Sequence, residues 1–169
     1  MDTLEAIYTR RSVRGFTNDP ISEVDVKDLL KAGMQAPSAK NEQPWHFVVI
    51  DKPDILHAIP SFHPYAKMLL DAPLAILVCS DQKLTLKPAS WVQDCSAATQ
   101  NILLAAHAKG LGAVWLGIYP DEARVQGMET LLELPPNIRP MALVALGHPT
   151  LRPEPVDRYN PSRVHHNGW

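Results

Sequence analysis

The stretch that decides the fold is residues 90–118, SWVQDCSAATQNILLAAHAKGLGAVWLGI. Residues 90–109 are rich in alanine and apolar nearly all round from Ala97 to Ala106, which predicts a long helix buried at the centre of the molecule. Gly110 suits the C-terminal cap of that helix. The apolar residues 113–118 then predict a strand, so the chain combines a buried helix with a sheet.

Hydrophobic periodicity predicts further elements on both sides of this stretch. The predicted helices are residues 2–9, 22–36, 53–58, 64–70 and 121–132. The predicted strands are residues 45–50, 74–79 and 141–146. Ser22 is suited to cap the second helix, and the polar, proline-rich residues from 148 onward are expected to form an extended C-terminal arm. The predicted architecture is α+β or α/β, with about four strands covered by helices in one domain of residues 1–169.

Composition excludes several classes of function. The chain carries 16 basic and 18 acidic residues, and this near balance argues against nucleic-acid binding, which needs a broad basic surface. No apolar run approaches the roughly 20 residues that span a bilayer, so we expect no membrane association. Cys79 and Cys95 belong to no CxxC pair, which argues against a disulfide framework or a metal site and favours a reducing cytoplasm.

Three arginines and a serine are concentrated directly after the first predicted helix, as Arg10, Arg11, Ser12 and Arg14. Guanidinium groups match the geometry of phosphate oxygens, and a serine hydroxyl adds a further donor. The segment is therefore a candidate phosphate site. A solvated basic turn is the alternative, because most short basic runs are of that kind, and spacing alone leaves both interpretations open.

Two more segments could contact a ligand. Residues 36–45, APSAKNEQPW, join a helix to a strand and concentrate amides and a hydroxyl, although a plain polar loop closed by two prolines is the alternative. Residues 110–117, GLGAVWLG, resemble a dinucleotide fingerprint, but their glycines follow a helix and precede a strand, the reverse of the Rossmann order. Gly117, at the end of the predicted strand, would still let a ligand approach the backbone.

No set of side chains is arranged for acid, base, nucleophilic or metal chemistry. The seven histidines show no HxxxH or HExxH spacing, and no Gly-x-Ser-x-Gly elbow occurs. Asp94 on the long helix is either structural or faces a partner, and the His165–His166 pair lies either on the surface or over a pocket. An enzyme that lacks such a set relies on a cofactor for its chemistry.

Taken together, these segments resemble the nitroreductase family of FMN flavoproteins. The matching pieces, in family order, are Arg10 to Phe16, Ala36 to Ser38 with Asn41 to Trp45, Asp94 with Ala98 to Gly117, Gly147 to Pro149, and Asp157 to Trp169. The resemblance implies an α+β fold with a central, mostly antiparallel sheet flanked by helices and an extended C-terminal arm. It also implies a homodimer with two FMN sites at the subunit interface.

The resemblance implies cofactor-binding roles for particular residues. Those expected at the FMN phosphate and ribityl chain are Arg10, Arg11, Ser12, Arg14 and, from the C-terminal arm, Arg158. Those expected to reach the flavin from the partner subunit are Pro37, Ser38 and Asn41, with Gln43 close by. The backbone near Leu116 and Gly117 would approach the isoalloxazine edge and its reactive N5. No metal and no catalytic side chain is expected, because the flavin carries the chemistry.

The implied activity is that of an FMN-dependent oxidoreductase. NAD(P)H reduces the flavin and leaves, and an electron-poor acceptor such as a nitroaromatic or quinone then binds in its place and is reduced. Within the same fold, reductive dehalogenation or flavin breakdown is an alternative. The remaining alternatives are a non-enzymatic flavin binder and a phosphate-binding module. The short connection between Cys79 and Trp91 leaves little room for an extra helical excursion over the flavin, in contrast to longer relatives.

Overall fold

The computed structural model describes residues 1–86 and 89–169. Within those residues the α-helices are α1 (Thr3–Thr9), α2 (Glu23–Met34), α3 (Pro53–Ala58), α4 (Ser90–Ala108) and α5 (Glu122–Leu131). The strands are β1 (Trp45–Ile50), β2 (Leu74–Asp81), β3 (Gly112–Gly117) and β4 (Ile138–Gly147). The predicted short connection between Cys79 and Trp91 includes residues 87 and 88, which lie outside the described residues.

The strands form one sheet in the order β1-β2-β4-β3, and every neighbouring pair is antiparallel. The structure therefore confirms the α+β prediction with an antiparallel sheet and excludes the parallel α/β alternative. β2 and β4 occupy the centre, and β2 is buried from Leu74 to Ser80 because helices cover both faces of the sheet.

Two hydrophobic clusters cover the two faces of this sheet. Side chains alternate between the faces along a strand, so Ile76 of β2 packs in the cluster with α2 and α4, whereas Leu77 packs in the cluster with α3 and α5. The prediction of a buried central helix is confirmed, since Cys95, Ala98 and Ile102 of α4 are fully buried. The sheet is thus the middle layer, and β3 is one of its two edge strands.

Local signals place most helix ends where the sequence predicts them. The Ser22 hydroxyl accepts a hydrogen bond from the Asp25 N–H at 3.1 Å, which caps α2. Gly110 follows α4 with φ of +78°, the left-handed conformation that favours glycine after a helix. Both capping predictions are confirmed.

The predicted helix over residues 64–70 is wrong. The structure has 3-10 turns at Ile59–Ser61 and Lys67–Leu70 instead. The backbone there closes i→i+3 hydrogen bonds, from the Ala66 N–H to the His63 carbonyl and from the Leu69 N–H to the Ala66 carbonyl, and the fully buried Ala66 and Leu69 are three residues apart, the spacing of a 3-10 turn. β2 and β4 are longer than predicted, since they pair with each other as far as Asp81 and Ile138.

The C-terminal arm, residues 148–169, is extended apart from one 3-10 turn at Pro161–Arg163. Every residue from Leu151 to the end is exposed, including the apolar side chains of Val156, Tyr159 and Trp169. The predicted extended arm is therefore confirmed. Among the helices of the described residues, none is long and apolar enough to cross a membrane.

Candidate functional site

The arginine-rich segment runs along the free edge of β3. α1 ends at Thr9, and the Val13 N–H then donates a hydrogen bond to the Ala113 carbonyl oxygen at 3.0 Å. Val13 is buried, and a Cβ at Gly112 would come within 2.8 Å of its Cγ1, so glycine is required for this close approach. With Val13 directed into the core, the exposed Arg14 next to it is held at the edge of the sheet.

Arg10 and Arg11 share a cavity of about 750 Å³ with Arg158 of the C-terminal arm. The other walls come from α1 and the arm, including Tyr8 and Val156. The arm thus brings Arg158 to the predicted phosphate arginines, which are 147 to 148 residues earlier in the chain. Asp157 is the acidic residue in the lining, and its carboxylate accepts a hydrogen bond from the Tyr159 N–H.

Arg11 differs from its two neighbours because its donors are already used within the chain. Its Nε and Nη2 donate to the carbonyl oxygens of Glu154 and Val156 at 3.2 and 2.9 Å. Its Nη1 donates to the carbonyl oxygens of Tyr8 and Arg10. In this structure Arg11 therefore fastens the C-terminal arm to the end of α1.

The charge of this cluster is not balanced by carboxylates. Among the residues that the structure describes, none of the ion pairs involves Arg10, Arg11, Arg14 or Arg158. Burial lowers the pKa of the Arg10 guanidinium from its ordinary value, and the nearby charges of Arg11 and Arg158 lower it further. A group of cations that disfavour one another in this way is suited to binding an anion.

A second cavity, of about 450 Å³, lies at the end of β3. The lining joins three predicted site residues, Arg14, Leu116 and Gly117, to side chains that the prediction did not include. Those additional residues are His63, Pro64, Tyr65, Lys67, Met68, Trp115 and Arg124. Arg14 and Lys67 contribute positive charge to the lining, as does Arg124, which forms an ion pair with Asp121 at 3.2 Å. The lining therefore carries a net positive charge.

Gly117 presents its main chain to this second cavity. The Ala113 carbonyl faces away from β4 towards Val13. Successive residues of an antiparallel strand point their N–H and C=O to opposite sides, so Gly117, four residues after Ala113, directs both groups to the same outer edge. A Cβ built at Gly117 meets nothing within 4 Å, so the protein's own packing does not require glycine there. The open space beside an outward N–H is suited to a flat ligand that approaches the backbone.

The Gly117 carbonyl oxygen accepts two side-chain hydrogen bonds. His63 Nε2 and Arg124 Nη1 each lie 3.0 Å from it. A carbonyl only accepts, so Nε2 of His63 carries the proton. Burial lowers the pKa of His63, and the charge of Arg124 lowers it further, which favours the neutral ring.

The predicted polar loop lies outside both cavities of its own chain. Pro37, Ser38, Asn41 and Gln43 are absent from both linings. The loop is nevertheless well defined: the Gln43 N–H donates to the Ser38 hydroxyl at 3.0 Å, and the Gln43 side-chain amide donates to Asn41 Oδ1 at 3.2 Å. Asn41 and Gln43 both have positive φ, which fixes the loop in a sharply turned shape.

Asp94 has a structural position that the sequence left open. It is buried on α4, and its Oδ1 accepts a hydrogen bond from the Ala39 N–H at 2.9 Å. The long helix therefore anchors the polar loop directly. The His165 ring stacks on Trp169 with centroids 4.4 Å apart, and His165, His166 and Trp169 are all exposed at the end of the arm, so the histidine pair lies on the surface of this chain.

His63, Tyr65, Lys67 and Arg124 were missed for a physical reason. The first three lie in or next to 3-10 turns, where no hydrophobic periodicity indicates which side chains face the sheet. Arg124 is in the first turn of α5, and its position by the sheet edge depends on how α5 packs. The Asp121 cap of α5 marks the start of the helix in the sequence, yet it gives no sign of the contact with Gly117.

Comparison with known proteins gives consistent matches. A model of the nitroreductase family matches residues 7–61 and 61–148. The chain is 48% identical, over its whole length and 88% of the relative, to a Methanothermobacter thermautotrophicus protein named "Putative NADH dehydrogenase/NAD(P)H nitroreductase". A solved structure of the same name from Parabacteroides distasonis has a TM-score of 0.95 and 39% identity, covering 99% of this chain and 98% of that one. The structure of "a putative nitroreductase in complex with fmn" from Desulfovibrio desulfuricans has a TM-score of 0.86 and 33% identity, covering 100% and 99%.

Proposed function

We propose that this chain, which belongs to the nitroreductase family, is an FMN-dependent oxidoreductase that takes electrons from NAD(P)H. The observation that carries the proposal is the position of Gly117, whose outward N–H and open flank lie in one electropositive cavity with Arg14. The names of the relatives supply the electron donor, and the FMN complex among the similar structures supports the cofactor.

The residues present fit FMN in two respects. The cavity bounded by Arg10 and Arg158 offers guanidinium groups without carboxylate partners among the described residues, as a phosphate requires. The cavity at the end of β3 offers space beside a glycine backbone, as a planar ring requires. Bound FMN would accept hydride from NAD(P)H and deliver it from N5 to an electron-poor acceptor such as a nitroaromatic or quinone.

Each group of residues has a distinct task in this proposal. Arg10, Ser12, Arg14 and Arg158 hold the phosphate and ribityl chain, whereas Arg11 holds the arm that carries Arg158 in place. The main chain at Leu116 and Gly117 would approach the reactive edge of the ring, and the absence of a side chain at Gly117 leaves room for that approach.

We propose further that two copies of the chain share the flavin sites. The polar loop with Pro37, Ser38, Asn41 and Gln43 is held by internal hydrogen bonds but lines neither cavity of its own chain, so it is available to the flavin of a partner subunit. The exposed apolar side chains of the arm, such as Tyr159, also favour a covering partner. The chain would act as one domain in the cytoplasm, where its buried free cysteines stay reduced.

Purification and turnover test the proposal together. Purified protein should carry FMN, identified after release by heat, and in the absence of oxygen should turn over NADH or NADPH repeatedly only when a quinone or nitroaromatic is present. Product analysis separates this activity from dehalogenation and flavin breakdown. A protein that binds FMN without oxidising either nicotinamide is a flavin binder and contradicts the enzymatic proposal.

A further inference from the structure

The end of β3 is pinned by a cluster that extends beyond the proposed cofactor contacts. Gly117 is the last residue of the strand, and its carbonyl accepts hydrogen bonds from His63 and Arg124, both at 3.0 Å. The two donors come from separate parts of the chain, the 3-10 turn region and the first turn of α5. Three segments therefore meet at one carbonyl oxygen.

Both donors are themselves held in place. His63 is 1% exposed. The Arg124 Nε lies 3.2 Å from Asp121 Oδ2, and the guanidinium carbon sits 5.5 Å from the centre of the Tyr65 ring, within reach of a cation–π interaction. The His63 and Tyr65 rings are 6.4 Å apart, edge to face. Such fixed donors can impose a position on a flexible acceptor, rather than follow it.

Gly117 is the part of this arrangement that needs to be held. Glycine has more backbone freedom than any other residue, and no side chain of its own anchors it. The peptide that follows is fixed on its other side, because the Ile118 N–H donates to the Met141 carbonyl at 3.2 Å. With His63 and Arg124 on the carbonyl, the orientation of the main chain at the strand end is defined from both sides.

We propose that His63 and Arg124 are positioning residues that clamp the Gly117 carbonyl and thereby aim the end of β3 at the reactive edge of the flavin. This inference rests on the proposed function, since it requires FMN in the cavity. The two side chains act through the main chain of Gly117. Each donor restricts the carbonyl, so the loss of one loosens its orientation and the loss of both releases it.

A double-substitution cycle on FMN affinity tests the clamp. Arg124→Met and His63→Phe each remove one donor while keeping most of the volume. FMN affinity is measured by fluorescence quenching as FMN is titrated into each apoprotein. Each single variant should bind FMN about fivefold more weakly, the scale of one net hydrogen bond. The double variant should lose about a hundredfold or more, beyond the product of the singles. A loss of FMN affinity in the double variant equal to the product of the two single losses would overturn the clamp on a shared acceptor.

Two further variants separate the clamp from general stability and from charge. Arg139→Met removes ion pairs to Glu122 and Glu129 of α5 at 2.7 and 3.2 Å, without contact to Gly117, and should leave FMN affinity unchanged. Arg124→Gln removes the positive charge but keeps an N–H donor, and should bind FMN more tightly than Arg124→Met. A glutamine variant that binds FMN as weakly as Arg124→Met would overturn the clamp in favour of a pure charge effect.

The visible absorption bands of bound FMN report on the surroundings of the flavin, and their positions do not depend on the overall stability of the protein. At saturating FMN the double variant should show shifted flavin bands, whereas Arg139→Met should match the unmodified protein. Bands in the double variant identical to those of the unmodified protein would overturn the inference. If one of the His63 variants does not fold, the FMN affinities of Arg124→Met and Arg139→Met are compared instead. Equal affinities in these two variants would overturn the clamp. An unmodified protein that does not bind FMN refutes the proposed function instead.

Discussion

The carboxylate of Asp94 on the buried helix α4 accepts a hydrogen bond from the main-chain N–H of Ala39 at 2.9 Å. This single contact joins the helix that dominates the core to the polar loop proposed to serve the partner's flavin. The loop needs such an anchor because three of its residues, Lys40, Asn41 and Gln43, have positive φ.

Removal of the Asp94 carboxylate should destabilise the loop. Asp94→Ala leaves the Ala39 N–H without an acceptor, which is expected to lower the free energy of unfolding by about 1–3 kcal/mol. Asp94→Asn retains an acceptor oxygen and should lose less. Urea unfolding followed by circular dichroism measures both, and Asp94→Ala with the stability of the unmodified protein would contradict the anchoring role.

Substitution of Gly117 should separate ligand binding from stability. A Cβ at Gly117 meets nothing within 4 Å, so Gly117→Ala should change the unfolding free energy of the apoprotein by less than about 1 kcal/mol. The new methyl group should nevertheless weaken FMN binding, because it fills the space beside the outward N–H. Affinity is measured by titration of the apoprotein with FMN.

Gly147→Ala is the matched control for that substitution. Its Cβ would lie 2.8 Å from Cδ1 of the Phe16 ring, so overpacking should cost about 1–3 kcal/mol of stability. If Gly117→Ala behaved like Gly147→Ala, with lost stability and unchanged FMN affinity, Gly117 would be a packing residue rather than a ligand-facing one.

The arginine cluster should respond to inorganic phosphate. Because Arg10, Arg14 and Arg158 have no ion-pair partners within the described part of the chain, millimolar phosphate should raise the melting temperature of the apoprotein. Arg10→Ala combined with Arg14→Ala should abolish that rise and strongly weaken FMN binding, since charge-assisted hydrogen bonds are lost.

Arg139→Ala provides the control for loss of a surface cation, because its ion pairs lie on α5. Arg139→Ala should retain the phosphate-induced rise in melting temperature. Retention of FMN and of the phosphate effect in the Arg10 and Arg14 double variant would place the phosphate site elsewhere.

His63 should make stability depend on pH. Burial is the main cause that lowers its pKa below the ordinary value of 6.5, so the folded protein binds fewer protons than the unfolded chain as pH falls below that value. Stability should therefore decrease as pH drops from about 6.5 through the folded pKa. Urea unfolding of the apoprotein between pH 7.5 and 5 measures the slope.

His63→Gln should flatten that slope, because glutamine does not titrate. Part of the slope should remain, since burial also lowers the pKa of His107. A slope in His63→Gln equal to that of the unmodified protein would show that the folded and unfolded chains protonate His63 alike.

The sequence predicted most of the fold because its elements have local signals. The alanine-rich α4, the Ser22 cap and the glycine after α4 are all read from neighbouring residues, and so were the limits of β1. The prediction failed at residues 64–70, where i→i+3 hydrogen bonds form a 3-10 turn in place of an α-helix.

The site was less predictable because it depends on tertiary contacts. The run from Arg10 to Arg14 is visible in sequence, but the approach of Arg158 depends on the path of the arm. The use of Arg11 as a tether could not be predicted from spacing, since its two acceptors on the arm, the backbone oxygens of Glu154 and Val156, are more than 140 residues away in the chain. His63 and Arg124 reach Gly117 only after α5 and the 3-10 turns pack against the sheet.

The visible absorption spectrum of the purified protein, recorded without oxygen before and after addition of NADH or NADPH, tests the central claim most directly. We predict the two bands of oxidised FMN, bleached by at least one nicotinamide and restored when a quinone or nitroaromatic is added. A colourless protein that gains neither colour nor stability from added FMN would contradict the claim of an FMN site. A yellow protein that neither nicotinamide bleaches would contradict the claim that NAD(P)H is the electron donor.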